Sequence, residues 1–486
     1  MNVVERAKDD TSKAHGLEVA DNLNVQFRWH NNPTRSRCQR LLRDLFERKA
    51  VADRIGIEVE LGVLDPETGI STSYEAPNGL ENLLQTIAKT GQWERTSENC
   101  RLMALNSECF SVQLEHGGAV EYSSRPVTSV RQLVDDLKTG LRAVSEAADR
   151  LRIAIVPGGN FPFNTPENTR WVPKARGRIM RDYFEALGHQ GAGGLRVMSE
   201  TLSTQIKLDY DSEADMGAKM RTLVAIAPIA TAIFANSPLD GGRPRGALSR
   251  RAQHYFTCDP QRCGFVPPAL GRIMTFDEFI DWAQKLPMIY RATSTSYEGV
   301  NFKNFATVLE EGFADGTSPN AAHWRSHLSQ IYTDVRLRET IEIRAVDGTG
   351  IKFLPAIAAF WSGLVYHPAS LAAAWDLVSR RTIEEHWAAL KSIPTAGLAA
   401  RPGPDSVCEI ARELLRLAKE GVKARVNAGL EDTSAVGYFE PLEELLDSGV
   451  TLAERCLREW HTSIGQSAAH YVAAYRILTD EIEAIA

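Results

Sequence analysis

Residues 201–238 read TLSTQIKLDYDSEADMGAKMRTLVAIAPIATAIFANSP, and the period of the side chains changes once along them. Alternation comes first. Gln205, Lys207 and Asp209 fall on one side of an extended strand, and Ile206, Leu208 and Tyr210 on the other. A helix follows: Asp211 or Ser212 can cap it, Glu213 and Asp215 sit in its first turn, and an apolar run continues past Pro228. The run stops at Ala235-Asn236-Ser237-Pro238, because the residue before a proline is pushed out of helical space. The unit is a half-buried strand, polar on one face, that feeds a buried helix.

The same alternation recurs on both sides of this unit. RIGIEVELGVLD (54–65) puts Glu58 and Glu60 on one face and Ile57, Val59 and Leu61 on the other. LEHGGAVEYSS (114–124) carries Glu115 and Glu121 around paired glycines that predict a bulge or tight bend. VRLRETIEIRAVDG (335–348) reads as one strand with Arg336, Glu342 and Arg344 on its polar face. Further strands are expected at 101–105, at 110–115 and after Arg152. Helices are expected at 33–52, at 79–93 and from a Ser129 cap to about Leu151. Segments 160–177 and 239–251 read as loops, the first long enough to carry function. Beyond Phe353 the pattern is helical almost to the end. Strands early and helices late favour an α+β fold. Residues 1–32 read as a flexible arm, which leaves 33–486 as a single domain with a helical part from about 353.

Bulk properties remove several function classes. A net charge of -7 over 486 residues argues against a general nucleic-acid binder. No apolar run of about 18 residues without a charge or break predicts a membrane-spanning helix. The first residues, MNVVERAKDDTSKAHG, lack the apolar core of a secretory signal. Seven scattered cysteines suit a reducing compartment, and the expected location is cytoplasmic. Cys258 and Cys263 lie close together but lack the partners a zinc site needs.

Two accounts compete for the polar strand faces. One is a sheet packed by helices on one side and wet on the other. The second starts from composition: the carboxylates recur beside glycines and in company with arginines, on the strands and at Arg245, Arg250, Arg251 and Arg262. Hard oxygen donors suit Mg²⁺, and guanidinium forks suit phosphate and carboxylate oxygens. Together they point to Mg-ATP chemistry on a sheet. No P-loop, dinucleotide fingerprint, HExxH or GxSxG motif is present, and His30, His116 and His254 stand isolated.

At this level the chain resembles the plant and proteobacterial type of glutamate–cysteine ligase, within the carboxylate–amine ligases related to glutamine synthetase. The resemblance rests on GIEVELGVLD, LEHGGAVEYSSRP, RGRIMRDYF, STQIKLDYDSEADM, PIATAIFANSPLDGG, DPQRCGF, VRLRETIEIRAVDG and FEPLEELLDSGVTLAE, in family order. It implies a six-stranded antiparallel sheet forming a funnel with helices outside. It implies ATP and two or three Mg²⁺ ions, held by Glu58, Glu60, Glu115, Glu121 and Glu342 with Gln205 alongside. Arg336 and Arg344 would meet the ATP phosphates as catalytic groups. Arg178, Arg251 and Arg262 would grip a substrate carboxylate. Lys207 would pair with an extra substrate carboxylate or neutralise a neighbouring glutamate.

The implied reaction phosphorylates the γ-carboxylate of glutamate with ATP and then transfers the acyl group to the amine of cysteine, in a monomer or homodimer with small-molecule substrates and no nucleic-acid or membrane partner. A different amine or acid by the same mechanism is the alternative, and a non-catalytic binding protein is a third reading. Retained buried carboxylates argue against the last, since without a metal they would cost stability. The chain departs from the family pattern at Leu61 and Lys207, where lysine and asparagine are common, and at Ser249-RRAQHY, which keeps Arg251 but loses a histidine and a tryptophan.

Overall fold

Alternation makes residues 55–64 the central strand of the molecule. The computed structural model describes residues 42–47, 53–294 and 296–485. In it β1 (Ile55–Leu64) buries Ile57, Val59, Leu61 and Val63 against helices. Around it lie β2 (Glu94–Glu98), β3 (Arg101–Asn106), β4 (Phe110–Leu114), β5 (Ala119–Ser124), β6 (Ala154–Val156), β7 (Thr204–Leu208), β8 (Val335–Leu337) and β9 (Ile341–Ile343). The order is β8-β9-β7-β1-β5-β4-β3-β2, with β6 pairing the end of β1 that β7 leaves uncovered. Every pairing in this sheet is antiparallel.

Among the described residues the sheet has nine strands where six were expected. Two of the additions have a clear origin. β2 is a polar edge strand, ERTSE, without apolar alternation. The stretch expected as one strand over 335–345 folds back as a hairpin, with the Arg338 amide donating to the Thr340 carbonyl at 2.9 Å. Three residues in the turn keep the parity of the faces, so Arg336 comes to lie opposite Glu342. The paired glycines likewise close a tight turn between β4 and β5. Gly118 adopts φ +97, and a side chain on Gly117 would strike the Ser199 carbonyl oxygen at 2.0 Å.

The helices are α1 (Leu80–Ile87), α2 (Val130–Leu151), α3 (Gly177–Ala186), α4 (Glu213–Ile233), α5 (Arg250–Phe256), α6 (Leu354–Val365) and α7 (Val407–Asn427); α1, α2, α4 and α6 cover the apolar side of the sheet, and α7 packs on α4 and α6. Ser129 caps α2 by accepting from the Arg131 amide, and Ser212 caps α4 by accepting from the Asp215 amide. α4 is long and apolar enough to cross a membrane by length and composition, which corrects the expectation that no such helix exists. It is buried nearly all round, as the core helix of a large protein would be. α6 and α7 cross at two glycines. A Cβ on Gly363 would lie 2.1 Å from the Ala418 carbonyl oxygen, and one on Gly421 only 1.9 Å from that of Gly363.

Among the described residues every element after β9 is helical, as the sequence led us to expect. The expected arm over 1–32 lies outside the described residues. So does most of the expected helix over 33–52; within 42–47, Leu42 and Phe46 are buried, and Phe46 stacks on Phe276.

Candidate active site

The face of the sheet opposite the helices carries the polar residues, and it is not a wet face. Glu58, Glu121, Ser123, Ser203, Gln205 and Glu342 are all buried, with Glu60 and Lys207 partly so. Register assembles them in rows. Glu60 stands opposite Glu121 on β5, which in turn faces Gln113 on β4. Glu58 lies between Ser123 on β5 and Gln205 on β7. Lys207 on β7 faces Glu342 on β9, and Arg336 on β8 faces the same Glu342. Glu115, at the turn after β4, completes the carboxylate end.

Charge is distributed unevenly over these rows. Arg336 binds Glu342 with a fork, Nη2 to Oε1 at 2.8 Å and Nε to Oε2 at 3.1 Å. Arg344 Nη1 donates to the same Oε1 at 2.6 Å and to Gln205 Oε1 at 2.5 Å. Burial opposes ionisation of Glu342, yet the two arginines hold its pKa well below the usual carboxylate range. Lys207 Nζ lies 2.5 Å from Glu58 Oε1. Lys174 reaches back from the 160–177 loop to Glu115 at 3.1 Å. Burial alone would raise Glu115, but Lys174 and Arg176 outweigh it and its pKa falls.

Glu60 and Glu121 are different. Neutral groups hydrogen-bond to both: Ser203 Oγ to Glu60 at 2.8 Å, and Gln113 and Ser123 to Glu121 at 2.6 and 2.8 Å. Burial and the neighbouring Glu115 push Glu60 up to about 7. Burial and the charges of Glu58, Glu115 and Glu60 push Glu121 well above its ordinary value. Among the described residues, the face thus ends in two opposed carboxylates without a cationic hydrogen-bond partner.

At the arginine end lies a set of anion donors. Arg251, on α5, stacks on Tyr255 and donates to the Arg344 carbonyl at 2.5 Å. The Nε–H groups of both Arg251 and Arg344 are buried with no hydrogen-bond partner among the described residues. A buried guanidinium N–H without an acceptor is costly, and an oxyanion supplies one. Asp334 sits beside these arginines, and burial lifts it to about 6 against their pull.

Not every expected site residue converges here. Arg178 projects from α3 into solvent, 84% exposed, with Asp182 one turn on at 3.9 Å. The residue that turns inward is Arg176, just before the helix, beside Glu115 and His116. Arg262 is fully buried, and its guanidinium donates to Asp259, Tyr183, Pro287 and Gln330, which leaves it to brace the fold rather than to grip a ligand. Glu342 and Glu58 are engaged by cationic side chains. The six expected metal positions do not form one cluster, and no three carboxylate, imidazole or thiol groups among the described residues converge on a common point. The chemistry of Glu60 and Glu121 nevertheless fits Mg²⁺: both offer hard oxygen donors, and a divalent cation would offset their mutual repulsion. Lys174 and Arg176 were missed because a Pro- and Asn-rich loop gives no period that says where it folds back. Cys258 and Cys263 are both buried and free, packed beside Tyr183.

A model described as glutamate-cysteine ligase family 2 matches residues 54–471. The chain belongs to this family. It is therefore an enzyme of the ligase class. Among curated relatives, the chloroplastic glutamate–cysteine ligase of Nicotiana tabacum is 32% identical over 422 residues, covering 85% of this chain and 77% of the relative. That of Arabidopsis thaliana is 32% identical over 417 residues, again 85% and 77%. Among solved structures, the glutamate–cysteine ligase of Francisella tularensis, in complex with AMP, superposes with a TM-score of 0.53 over 90% of each chain at 11% identity, a likeness of fold. The names of the plant relatives correct the cytoplasmic expectation, since these are chloroplastic proteins.

Proposed function

We propose that this ligase performs the reaction its family is named for on the buried polar face of the sheet. ATP phosphorylates the γ-carboxylate of glutamate, and the amine of cysteine then displaces phosphate to give γ-glutamylcysteine, a step toward glutathione-type thiols. The observation that carries this reading is the pairing of two unlike ends on one face: opposed carboxylates at Glu60–Glu121, and unpartnered arginine donors at Arg251 and Arg344. A carboxylate-rich end suits Mg²⁺ and an arginine end suits oxyanions, as phosphoryl transfer between two anions requires.

In this reading Glu60 and Glu121 would hold Mg²⁺, which when bound would supply charge neutralisation to the phosphoryl oxygens, while Glu115 stays paired with Lys174. Arg344 donates to phosphate, steadied by Glu342 and Gln205. Arg336 fixes Glu342 and so acts on Arg344 from behind. Arg251 receives the substrate carboxylate from its place on Tyr255, and Arg176 lines the carboxylate end. The burial of these groups excludes water that would hydrolyse an acyl phosphate. The large antiparallel sheet serves as the wall of a funnel. Residues 33–486 act as one catalytic domain, a monomer or homodimer, with two small-molecule substrates besides ATP.

The test is phosphate release from ATP with Mg²⁺ present, glutamate fixed and a panel of amines varied, with mass detection of products. Cysteine should give the fastest release and γ-glutamylcysteine should accumulate. Release that cysteine does not stimulate would reject cysteine as the acceptor.

A further inference from the structure

We propose that a cavity beside the Asp240 turn is a second anion site, separate from the polar face of the sheet, and that it binds a ligand of the polyphosphate class. The cavity holds about 610 Å³, and four arginines line it, Arg196, Arg243, Arg245 and Arg250, against two carboxylates, Asp240 and Glu167. None of its lining residues lies on the polar face.

The local sequence builds this wall. Leu239–Asp240 and Arg243–Pro244 pair as a hairpin. Gly241 and Gly242 close it at φ +57 and +72, the left-handed pair that a two-residue turn demands. Asp240 stands opposite Arg243, yet its ion pairs are with Arg196 through Oδ1 and with Arg250 through Oδ2, the latter at 2.9 Å. Two arginines are thus held in place by one carboxylate. Arg243 and Arg245, two residues apart on the strand that leaves the turn, are exposed, and among the described residues neither has an ion-pair partner.

Positive charge is left over in this cavity. Glu167 is exposed, so solvent screens it. Glu200, buried behind Arg196 at 2.8 Å, is lifted to about 8 by burial and is largely protonated at neutral pH. A single carboxylate offers two acceptor oxygens, too few for four guanidinium forks, whereas linked phosphoryl groups offer several, each with charge. The volume falls within the range of about 300–1,000 Å³ usual for small-ligand sites.

The test is modification of the full-length chain by phenylglyoxal, which attacks accessible guanidinium groups, read residue by residue by mass spectrometry without added Mg²⁺. Inorganic tripolyphosphate should slow the reaction of Arg243 and Arg245 severalfold and leave Arg178, which is 84% exposed and outside the cavity, unchanged. In Arg243→Gln the tripolyphosphate concentration that half-protects Arg245 should rise about tenfold or more, while Mg²⁺-dependent turnover of ATP keeps its wild-type rate. Citrate at matched ionic strength should protect less. Equal modification with and without tripolyphosphate would overturn the inference, as would equal protection of Arg178 or an unchanged half-protecting concentration in Arg243→Gln. Protection by citrate as strong as by tripolyphosphate would overturn the phosphate class, and loss of turnover in Arg243→Gln would overturn the separation from the catalytic face.

Discussion

Glu60 on β1 stands directly opposite Glu121 on β5. Like charges in that position destabilise a sheet, and the hydrogen bonds that reach them come from hydroxyl and amide groups. The pair weakens the fold by itself, and under the proposed function a bound Mg²⁺ would offset that cost.

Removing one member should separate these two effects. Glu121→Gln keeps the shape and the hydrogen bond to Ser123 while deleting the charge. Its melting temperature without metal should match or exceed that of the wild type, and the rise on adding Mg²⁺ should disappear. Turnover should fall by about 10²-fold or more, the usual cost of losing charge stabilisation at a phosphoryl group. Wild-type turnover in this variant would remove Glu121 from the site.

Two arginines test the reassignment of substrate-binding groups. Arg178→Ala removes an exposed side chain, and both stability, within about 0.5 kcal/mol, and the KM for glutamate should be unchanged. Arg262→Met leaves Asp259 buried without its cationic partner, with the Tyr183 hydroxyl still donating to it, and denaturant unfolding should show a loss of about 3–5 kcal/mol. A raised KM in Arg178→Ala, or an Arg262→Met protein as stable as wild type, would reverse the assignment.

Two buried histidines set an acid limit on stability. Burial lowers His254 to about 3 and His327 to about 4; the first has Arg196 and Arg250 nearby, and the second stacks on Phe305 and Trp324. Both stay neutral in the folded state while the unfolded chain takes up protons below about 6.5. The unfolded state thus binds more protons between pH 6.5 and the folded values, and stability falls as pH drops through that window. Glu60 and Asp334, lifted to about 7 and about 6, act in the opposite sense over the same range, so the histidine contribution is read as a difference: the urea midpoint of His327→Gln relative to the wild type should rise as pH drops from 7 to 5. A difference independent of pH would contradict this.

The crossing of α6 and α7 should tolerate no side chain. Gly421→Ala forces a methyl against the Gly363 carbonyl, and overpacking of this kind costs roughly 1–3 kcal/mol. Thermal unfolding that matches the wild type would mean the helices separate without penalty.

How far the sequence led depends on how local each signal is. β1, β5 and β7 were readable because period-two alternation places Glu58, Glu60, Glu121 and Gln205 on one face whatever the tertiary context. The β8–β9 hairpin was not, because Arg338-Glu339-Thr340 contains none of the residues that mark a turn. Parity still put Arg336 and Glu342 on the same face. The part played by Arg262 had a local clue in Asp259, one turn earlier. That of Lys174 and Arg176 had none, since only the folded chain brings the loop back to Glu115. Lys207 was legible as a choice between substrate and neighbouring glutamate, and the contact with Glu58 favours the neighbour.

The most direct measurement follows the γ-carboxylate oxygen of glutamate through the reaction. Glutamate carrying a heavy-oxygen label in that group is turned over with ATP, Mg²⁺ and cysteine, and the released phosphate is weighed. Phosphorylation of the carboxylate predicts one labelled oxygen in each phosphate formed. Unlabelled phosphate alongside γ-glutamylcysteine would show that the bond forms without an acyl phosphate, and would contradict the account.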